Sequence, residues 1–393
     1  MLNNLVLNPD IQKFINKNLN SNITSLLLKG TNFTAISTRE IIEQIEAKKR
    51  ATKKLPTWFN CKNIYYPNKL NIEQTSSEIT AEYKSKLING ESIIDLTGGF
   101  GVDCFYFSKS FKTVTHTEIN DTLSAIVNHN YKQLKANINT INNNGIEYLK
   151  TLETTYSWIY IDPSRRHDTK GKVFFLNDCL PNVPLHLNLF FKHSKNILIK
   201  TSPLLDISIG IGELKHVKTI HIVAINNEVK ELLWLLENNF NGTTEIKTVN
   251  LKKENTEYFA CSLIEEKNTV AKYHTPLTYL YEPNAAILKA GAFNSVSNKL
   301  NIFKLHKHAH LYTSKTLINF PGRYFKIEKI SPYTKKDLKK LNISKANITT
   351  RNFPETVQEI RKKLKIKDGG SIYLFFTTNI KEEKIIIICS KID

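Results

Sequence analysis

Two carboxylates and a run of glycines are the first residues in this sequence that could do chemistry together. Asp95-Leu96-Thr97-Gly98-Gly99-Phe100-Gly101 follows a short apolar run, Ser92–Leu96, and Glu118 closes the next run, Lys112–Glu118. Glycine directly after a strand lets backbone pass close to a ligand that side chains would exclude. A carboxylate ending the second strand can accept hydrogen bonds from both hydroxyls of a ribose, which any adenosine-containing cofactor presents. Further on, Trp158-Ile159-Tyr160-Ile161-Asp162-Pro163-Ser164-Arg165-Arg166 is an apolar strand delivering Asp-Pro at its end. Asp162 there could orient a nucleophile or accept its proton. Arg165 and Arg166 could clamp a substrate phosphate, or be a solvated basic pair after a turn. Lys200, in Lys200-Thr201-Ser202-Pro203, could hold a phosphate or an acceptor group, or be a solvated strand end.

The turn discriminates between cofactors. A dinucleotide site uses GxGxxG to press a pyrophosphate against a helix N-terminus. Here the glycines read Gly98-Gly99-x-Gly101, with Asp95 three positions ahead of the first. S-adenosyl-L-methionine carries no phosphate, and its ammonium group would be attracted to Asp95. The expected cofactor set is Asp95, Thr97, Gly98, Gly99, Gly101, Glu118 and Asp162, and the expected catalytic pair is Asp162 with Lys200. The competing reading is a tight βα turn that binds nothing.

Stepping from strand to helix, the segment 89–268 repeats a βα rhythm: strands at Ser92–Leu96, Lys112–Glu118, Thr140–Asn142, Ser157–Ile161, Asn196–Thr201, Thr219–Ile225 and Tyr258–Ile264. Helices fall between them, including one at Glu228–Leu236. That pattern predicts an α/β fold, a Rossmann-like, doubly wound, mostly parallel seven-stranded sheet, with ligands at the strands' carboxyl ends. Residues 1–88 read as a helical region, because Ile11, Phe14, Ile15 and Leu19 fall at helical spacing, as do Ile41, Ile42 and Ile45. Residues 269–319 read as a small aromatic domain and 320–393 as a basic one, both α+β.

With 393 residues the chain exceeds one core of about 250–300 residues. No apolar run approaches the roughly 20 residues that cross a bilayer, and Met1–Asp10 lacks the stretches of a signal peptide. A cytoplasmic protein with no membrane partner is expected. Its five cysteines, without a CxxC pair, suggest reduced thiols, with neither disulfides nor zinc. Cys179, 17 residues past Asp162, is expected in a helix and outside covalent catalysis. His306, His308 and His310 alternate as on an exposed strand edge, and no metal is expected.

The net charge is +19, and residues 301–393 hold 20 Lys and Arg against 8 Asp and Glu, so +12 of it lies there. A basic end favours a polyanion, most simply nucleic acid. Arginine is rare, with seven in the chain, so each retained one suggests a planar fork is wanted. Arg323, Arg351, Arg361, Lys362 and Lys363 are the expected contacts, the last three facing outward from a helix at Pro354–Ile366. An ordinary amphipathic helix with a solvated face is the alternative.

Asp95–Gly101, Glu118 and Asp162-Pro163 resemble the first motif, second-strand acid and fourth motif of class I methyltransferases. Asn142-Asn143-Asn144-Gly145 stands where that family contacts adenine, with Asn144 where Asp is common. More narrowly, the chain is similar to a bacterial group with a ferredoxin-like and a C-terminal THUMP-like domain. The matching stretches are Glu73-Gln74-Thr75-Ser76-Ser77-Glu78, Asp162–Arg166, Lys200–Pro203, Tyr281-Glu282-Pro283-Asn284-Ala285 and Thr350-Arg351-Asn352-Phe353-Pro354. The resemblance implies methyl transfer from S-adenosyl-L-methionine to RNA, tRNA or rRNA. Ser164 and Arg165 replace the second Pro and the aromatic that exocyclic-amine methyltransferases carry after strand four, so that base-stacking platform is missing. A catalytically silent cofactor- and RNA-binding protein, or a methyltransferase of a protein or small molecule, are the rival readings.

Overall fold

The computed structural model describes residues 2–165 and 175–392. The chain divides into two compact units, Met1–Val217 with Trp234–Phe240, and Lys218–Leu233 with Asn241–Asp393.

The first unit opens with helices. Helix α1 (Thr38–Lys54) starts from a reciprocal capping box of Ser37 and Glu40. Its Ile41 and Ile45 pack with Val6, Ile11, Ile15 and Ile36 into one buried cluster, the helical spacing read from the sequence. Helix α2 (Glu78–Leu87) is capped by Ser77. The buried Glu78 accepts hydrogen bonds from Thr57 N at 2.6 Å, Thr57 Oγ1 at 2.7 Å and Tyr106 Oη at 2.8 Å, joining three segments distant in sequence.

A parallel sheet follows, from β1 (Gly90–Asp95), α3 (Val102–Phe107), β2 (Phe111–Glu118), α4 (Asp121–Gln133), β3 (Asn139–Asn142), α5 (Gly145–Lys150), β4 (Trp158–Ile161) and β5 (Asn196–Thr201). The strand order is β3-β2-β1-β4-β5, each pair parallel. Asp95 lies opposite His116 on one side and Tyr160 on the other, which brings Asp95, Glu118 and Asp162 to the carboxyl ends of adjacent strands. Strand order turns back at β1, the place where such sheets take ligands.

In the second unit, β6 (Val217–Ile225) pairs in parallel with β8 (Glu245–Leu251), and β8 in antiparallel with β9 (Glu257–Ser262). Between β6 and β8 the chain forms β7 (Glu228–Glu237), not the expected helix. Leu232, Leu233, Trp234 and Leu236 are all buried, so a run apolar on both faces masked the strand period. Asn226 and Asn227 sit in the left-handed region, φ 48° and 67°, as a two-residue strand connection requires. With β8, which the sequence reading omits, β7 takes the α/β part beyond seven strands.

A second sheet has the order 303–304, 312–314, β10 (Tyr279–Pro283), β11 (Gly322–Pro332), β14 (Lys384–Lys391), β13 (Ile372–Thr378), β12 (Asn347–Arg351). β10 and β11 pair antiparallel from Tyr279 opposite Lys326 to Pro283 opposite Gly322. This sheet takes strands from both sides of residue 320. Helix α6 (Val357–Leu364) buries Ile360 against Leu374, Phe376 and Ile386. No helix among the described residues is long and apolar enough to cross a membrane.

Glu78→Ala should cost about 3 kcal/mol of stability in urea titrations, since hydrogen bonds to a charged acceptor contribute about 1.5–3 kcal/mol each and the donors are left buried. A loss under about 1 kcal/mol would show that Glu78 does not join these segments.

Candidate active site

The turn after β1 is built from below by Asp95. Its carboxylate is buried and accepts from Thr97 N at 2.8 Å, Thr97 Oγ1 at 3.2 Å and Cys104 Sγ at 3.4 Å. Burial pushes its carboxyl up to about 7, against the lowering effect of the Thr97 hydrogen bond. Its oxygens face the protein interior and shape the turn. Thr97 Oγ1 also accepts from Asp162 N at 2.7 Å, tying the end of β1 to the end of β4.

The glycines divide by what excludes a side chain. A Cβ on Gly98 would stand 2.2 Å from His116 Nε2, and one on Gly101 2.2 Å from Tyr131 Oη. These positions are glycine because the protein's own interior fills the space. Gly99 differs: its φ is +55°, and a Cβ there would meet only Thr97 O at 3.7 Å. The open side of the turn, where a ligand can approach, is at Gly99. Beside it, Glu118 accepts from Gly99 N at 2.9 Å and Asn120 N at 2.7 Å. Burial raises the Glu118 carboxyl even so. Asn144 is exposed, and its Oδ1 caps α5 by accepting from Ile146 N and Glu147 N at 2.9 and 3.3 Å.

At the ends of β4 and β5, Asp162 and Lys200 form an ion pair, their side chains 33% and 12% exposed. Lys200 is therefore not a solvated strand end. Behind it lies a buried network that the sequence reading missed. Lys84 Nζ is 3.2 Å from Asp103 Oδ1, and Tyr160 Oη and Ser76 Oγ each donate to Asp103 Oδ2 at 2.8 Å. Burial works to raise the Asp103 carboxyl, but Lys84 and Lys200 outweigh it and hold the group below the usual carboxylate range. The available signals were Lys84 on the buried face of α2, four residues past Thr80, and Ser76 within the 73–78 stretch.

Ser164-Arg165 pairs antiparallel with Cys179-Leu180, with Arg165 opposite Cys179. Cys179 is thus on a strand, not a helix; its pairing partner is distant in sequence and leaves no periodic trace. Its sulfur is buried, 3.5 Å from Phe175 O. Arg166 lies outside the described residues.

The expected RNA contacts in the second unit are engaged within it. Arg323 and Arg351 both bind Glu282. Arg361, expected to face outward, instead donates to Ala346 O at 3.2 Å and Ile366 O at 3.3 Å and pairs with Asp368. The Ile366 carbonyl just past the helix end and the Ala346 carbonyl ahead of β12 draw the guanidinium in. Lys363 pairs with Glu355 at 3.0 Å, and Lys362 is exposed. His306, His308 and His310 lie in a turn, not along a strand edge. His306 meets Glu382 at 2.9 Å and Asn352 at 2.8 Å, while His310 stacks on Phe293.

A parallel sheet with a glycine turn after β1, an acid ending β2 and Asp-Pro ending β4 defines the class I methyltransferase fold. A family model for a ferredoxin-like domain matches residues 279–321, and one for a THUMP domain-like segment matches 322–391. A Porphyromonas gingivalis W83 protein, provisionally described as a methyltransferase, has a crystal structure superposable at TM-score 0.90, with 32% identity over 100% of both chains. The chain belongs to that protein's family, in which a class I methyltransferase fold is followed by ferredoxin-like and THUMP-like segments. Other similar structures cover less of it. A Bacillus cereus O-methyltransferase in complex with S-adenosylhomocysteine (SAH) has 10% identity over 43% of this chain and 87% of its own, TM-score 0.33. The M. capricolum protein TrmK, also with SAH, has 15% identity over 45% and 70%, TM-score 0.32. No curated protein matches the sequence.

The buried Asp95 makes a pH prediction. Its folded pKa, about 7, lies above the unfolded value near 3.8, so the folded state holds a proton that the unfolded state has released. Asp95 thus lowers wild-type stability as pH rises from about 4 to about 7. Asp95→Asn removes this term, so the variant should gain on wild type across that window, by at least about 1.4 kcal/mol in denaturant titrations. A flat difference would show that Asp95 ionises normally.

Proposed function

We propose that this chain transfers a methyl group from S-adenosyl-L-methionine to RNA, tRNA or rRNA, by direct displacement. The carrying observation is the open side of Gly99, with Glu118 beside it and the Asp162–Lys200 pair on the neighbouring strand ends. The cofactor fits these residues. Each Glu118 oxygen takes one backbone N–H and keeps a lone pair for a ribose hydroxyl, and the turn passes Gly99 with no side chain in the way. When bound, the cofactor supplies a methyl group activated by a positive sulfur.

The rest falls to the chain's own residues. Lys200 pairs with Asp162 and fixes its Oδ2, and Thr97 fixes its backbone N–H, so the carboxylate can accept a hydrogen bond from the acceptor's N–H or O–H. Alignment of acceptor and methyl group is most of what such a displacement needs, with Asp162 available as proton acceptor. Asp103, whose charge acts on both Lys84 and Lys200, attracts the Lys200 ammonium from behind the strand end. The RNA reading is supported by the +12 charge of residues 301–393 and the THUMP domain-like match of residues 322–391. Arg165, Arg166 and the exposed Lys362 are the proposed phosphate contacts.

Mass spectrometry of nucleosides from tRNA and rRNA, with and without the gene, should find one methylated nucleoside missing. With that RNA as substrate, Asp162→Asn and Lys200→Met should lower kcat by about 10²–10⁴, with SAH affinity falling far less. SAH binding with no methyl transfer to RNA from the deletion strain would replace this reading with a silent binding protein. Transfer to a protein or metabolite instead would overturn the RNA part.

A further inference from the structure

The second unit holds a group of like charges that the methyl-transfer reading does not use. Glu282, the last residue but one of β10, has its side chain 5% exposed, and two guanidiniums share it. Arg323, opposite it on β11, donates through Nε at 2.8 Å and through Nη2. Arg351, the last residue of β12, donates through Nε at 3.1 Å and Nη2 at 2.8 Å. Each arginine thus presents the edge formed by Nε and Nη2 to the carboxylate. Among the described residues neither Nη1 has a hydrogen-bond partner. The two side chains remain 45% and 34% exposed.

One carboxylate cannot neutralise two guanidiniums, and the neighbouring His310 is kept neutral by burial and by the positive groups around it. His310 stacks on Phe293 with ring centroids 3.5 Å apart, and its Nδ1 is buried with no partner among the described residues. Burial lowers its pKa to about 4, and Lys304, Arg351 and His308 all push the same way. Lys304 is itself 2% exposed, its Nζ donating to Lys307 O at 3.2 Å. Burying positive groups together is costly unless an anion joins them. Two planar forks, already held side by side, suit a group with several acceptor oxygens around one centre.

We propose that Arg323 and Arg351, organised by Glu282, form a binding site for a single phosphate group of the RNA substrate. The RNA source rests on the function proposed above; the affinity for phosphate does not. Glu282 prepays the ordering of both side chains, so little rotamer freedom is lost when the phosphate arrives. The competing explanation is that the two arginines only fasten β12 and β11 to β10.

The test uses the full chain and a short fluorescein-labelled single-stranded RNA, with anisotropy read across a salt series. Arg323→Gln and Arg351→Gln should each weaken binding about tenfold and flatten the log–log salt slope by about 0.7, the value for one phosphate contact on a single strand. Where a glutamine variant does not fold, Arg351→Lys keeps the charge without the fork and should still weaken binding. Variants that lose Tm yet keep wild-type affinity and slope would overturn the site and leave the fastening role. If wild type binds no RNA, the RNA reading fails separately, and calorimetry with inorganic phosphate decides: binding lost in Arg351→Gln retains the site, and no binding removes it.

Discussion

One hydroxyl, Thr97 Oγ1, holds the working edge of the first unit together. It donates to the buried Asp95 carboxylate and accepts from Asp162 N, so the turn that ends β1 and the turn that ends β4 share an atom. The proposed cofactor turn and the proposed catalytic carboxylate are for that reason not independent features. Moving either loop breaks a bond made by the other. Asp95 can remain buried under this arrangement because Thr97 and Cys104 satisfy its oxygens. Gly98 can sit where it does because His116 fills the space behind it. The site's geometry is set by packing beneath the turn as much as by residues facing a ligand.

The buried charges extend the same logic. Lys84, Asp103, Lys200 and Asp162 alternate in sign from the helix α2 face to the strand ends. A buried ion pair contributes little net stability, because desolvation offsets the attraction. Its effect here is positional. Removing any one member would leave its neighbour charged and unpaired in a poor solvent. That makes the row resistant to change and keeps the Lys200 ammonium at one end of it. The sheet supplies the rigid base on which this precision depends.

The parallel strands and the turn at 95–101 were legible because their signals are local: an apolar run, then an acid and glycines, repeated at βα spacing. What escaped the sequence was decided by partners far along the chain. Cys179 becomes a strand residue only because Arg165 lies opposite it. Glu228–Glu237 becomes β7 because both of its faces are buried, which removes the alternation that marks a half-exposed strand. Asn226-Asn227 was the local clue, since two consecutive left-handed asparagines make a tight strand connection. Asp95 was read correctly as an acid at the strand end, yet its orientation depends on Thr97 and Cys104, and no spacing rule encodes that.

The scarcity of arginine has a consequence that the bulk charge hides. In the second unit, all three arginines are spent on internal acceptors: Arg323 and Arg351 on Glu282, Arg361 on two carbonyls and Asp368. The exposed surplus is carried by lysines such as Lys362. Lysine is a strongly hydrated point charge on a flexible stem, and arginine a preorganised fork. A lysine-rich surface therefore attracts any polyanion over a distance set by salt, about 10 Å at 0.1 M, and does so without selecting a geometry. Orientation has to come from forks whose positions are fixed beforehand. Internal bonding is what fixes them, so the use of Arg323 and Arg351 to fasten Glu282 is compatible with recognition: the carboxylate holds one edge of each guanidinium still, and the remaining donors point from a known place.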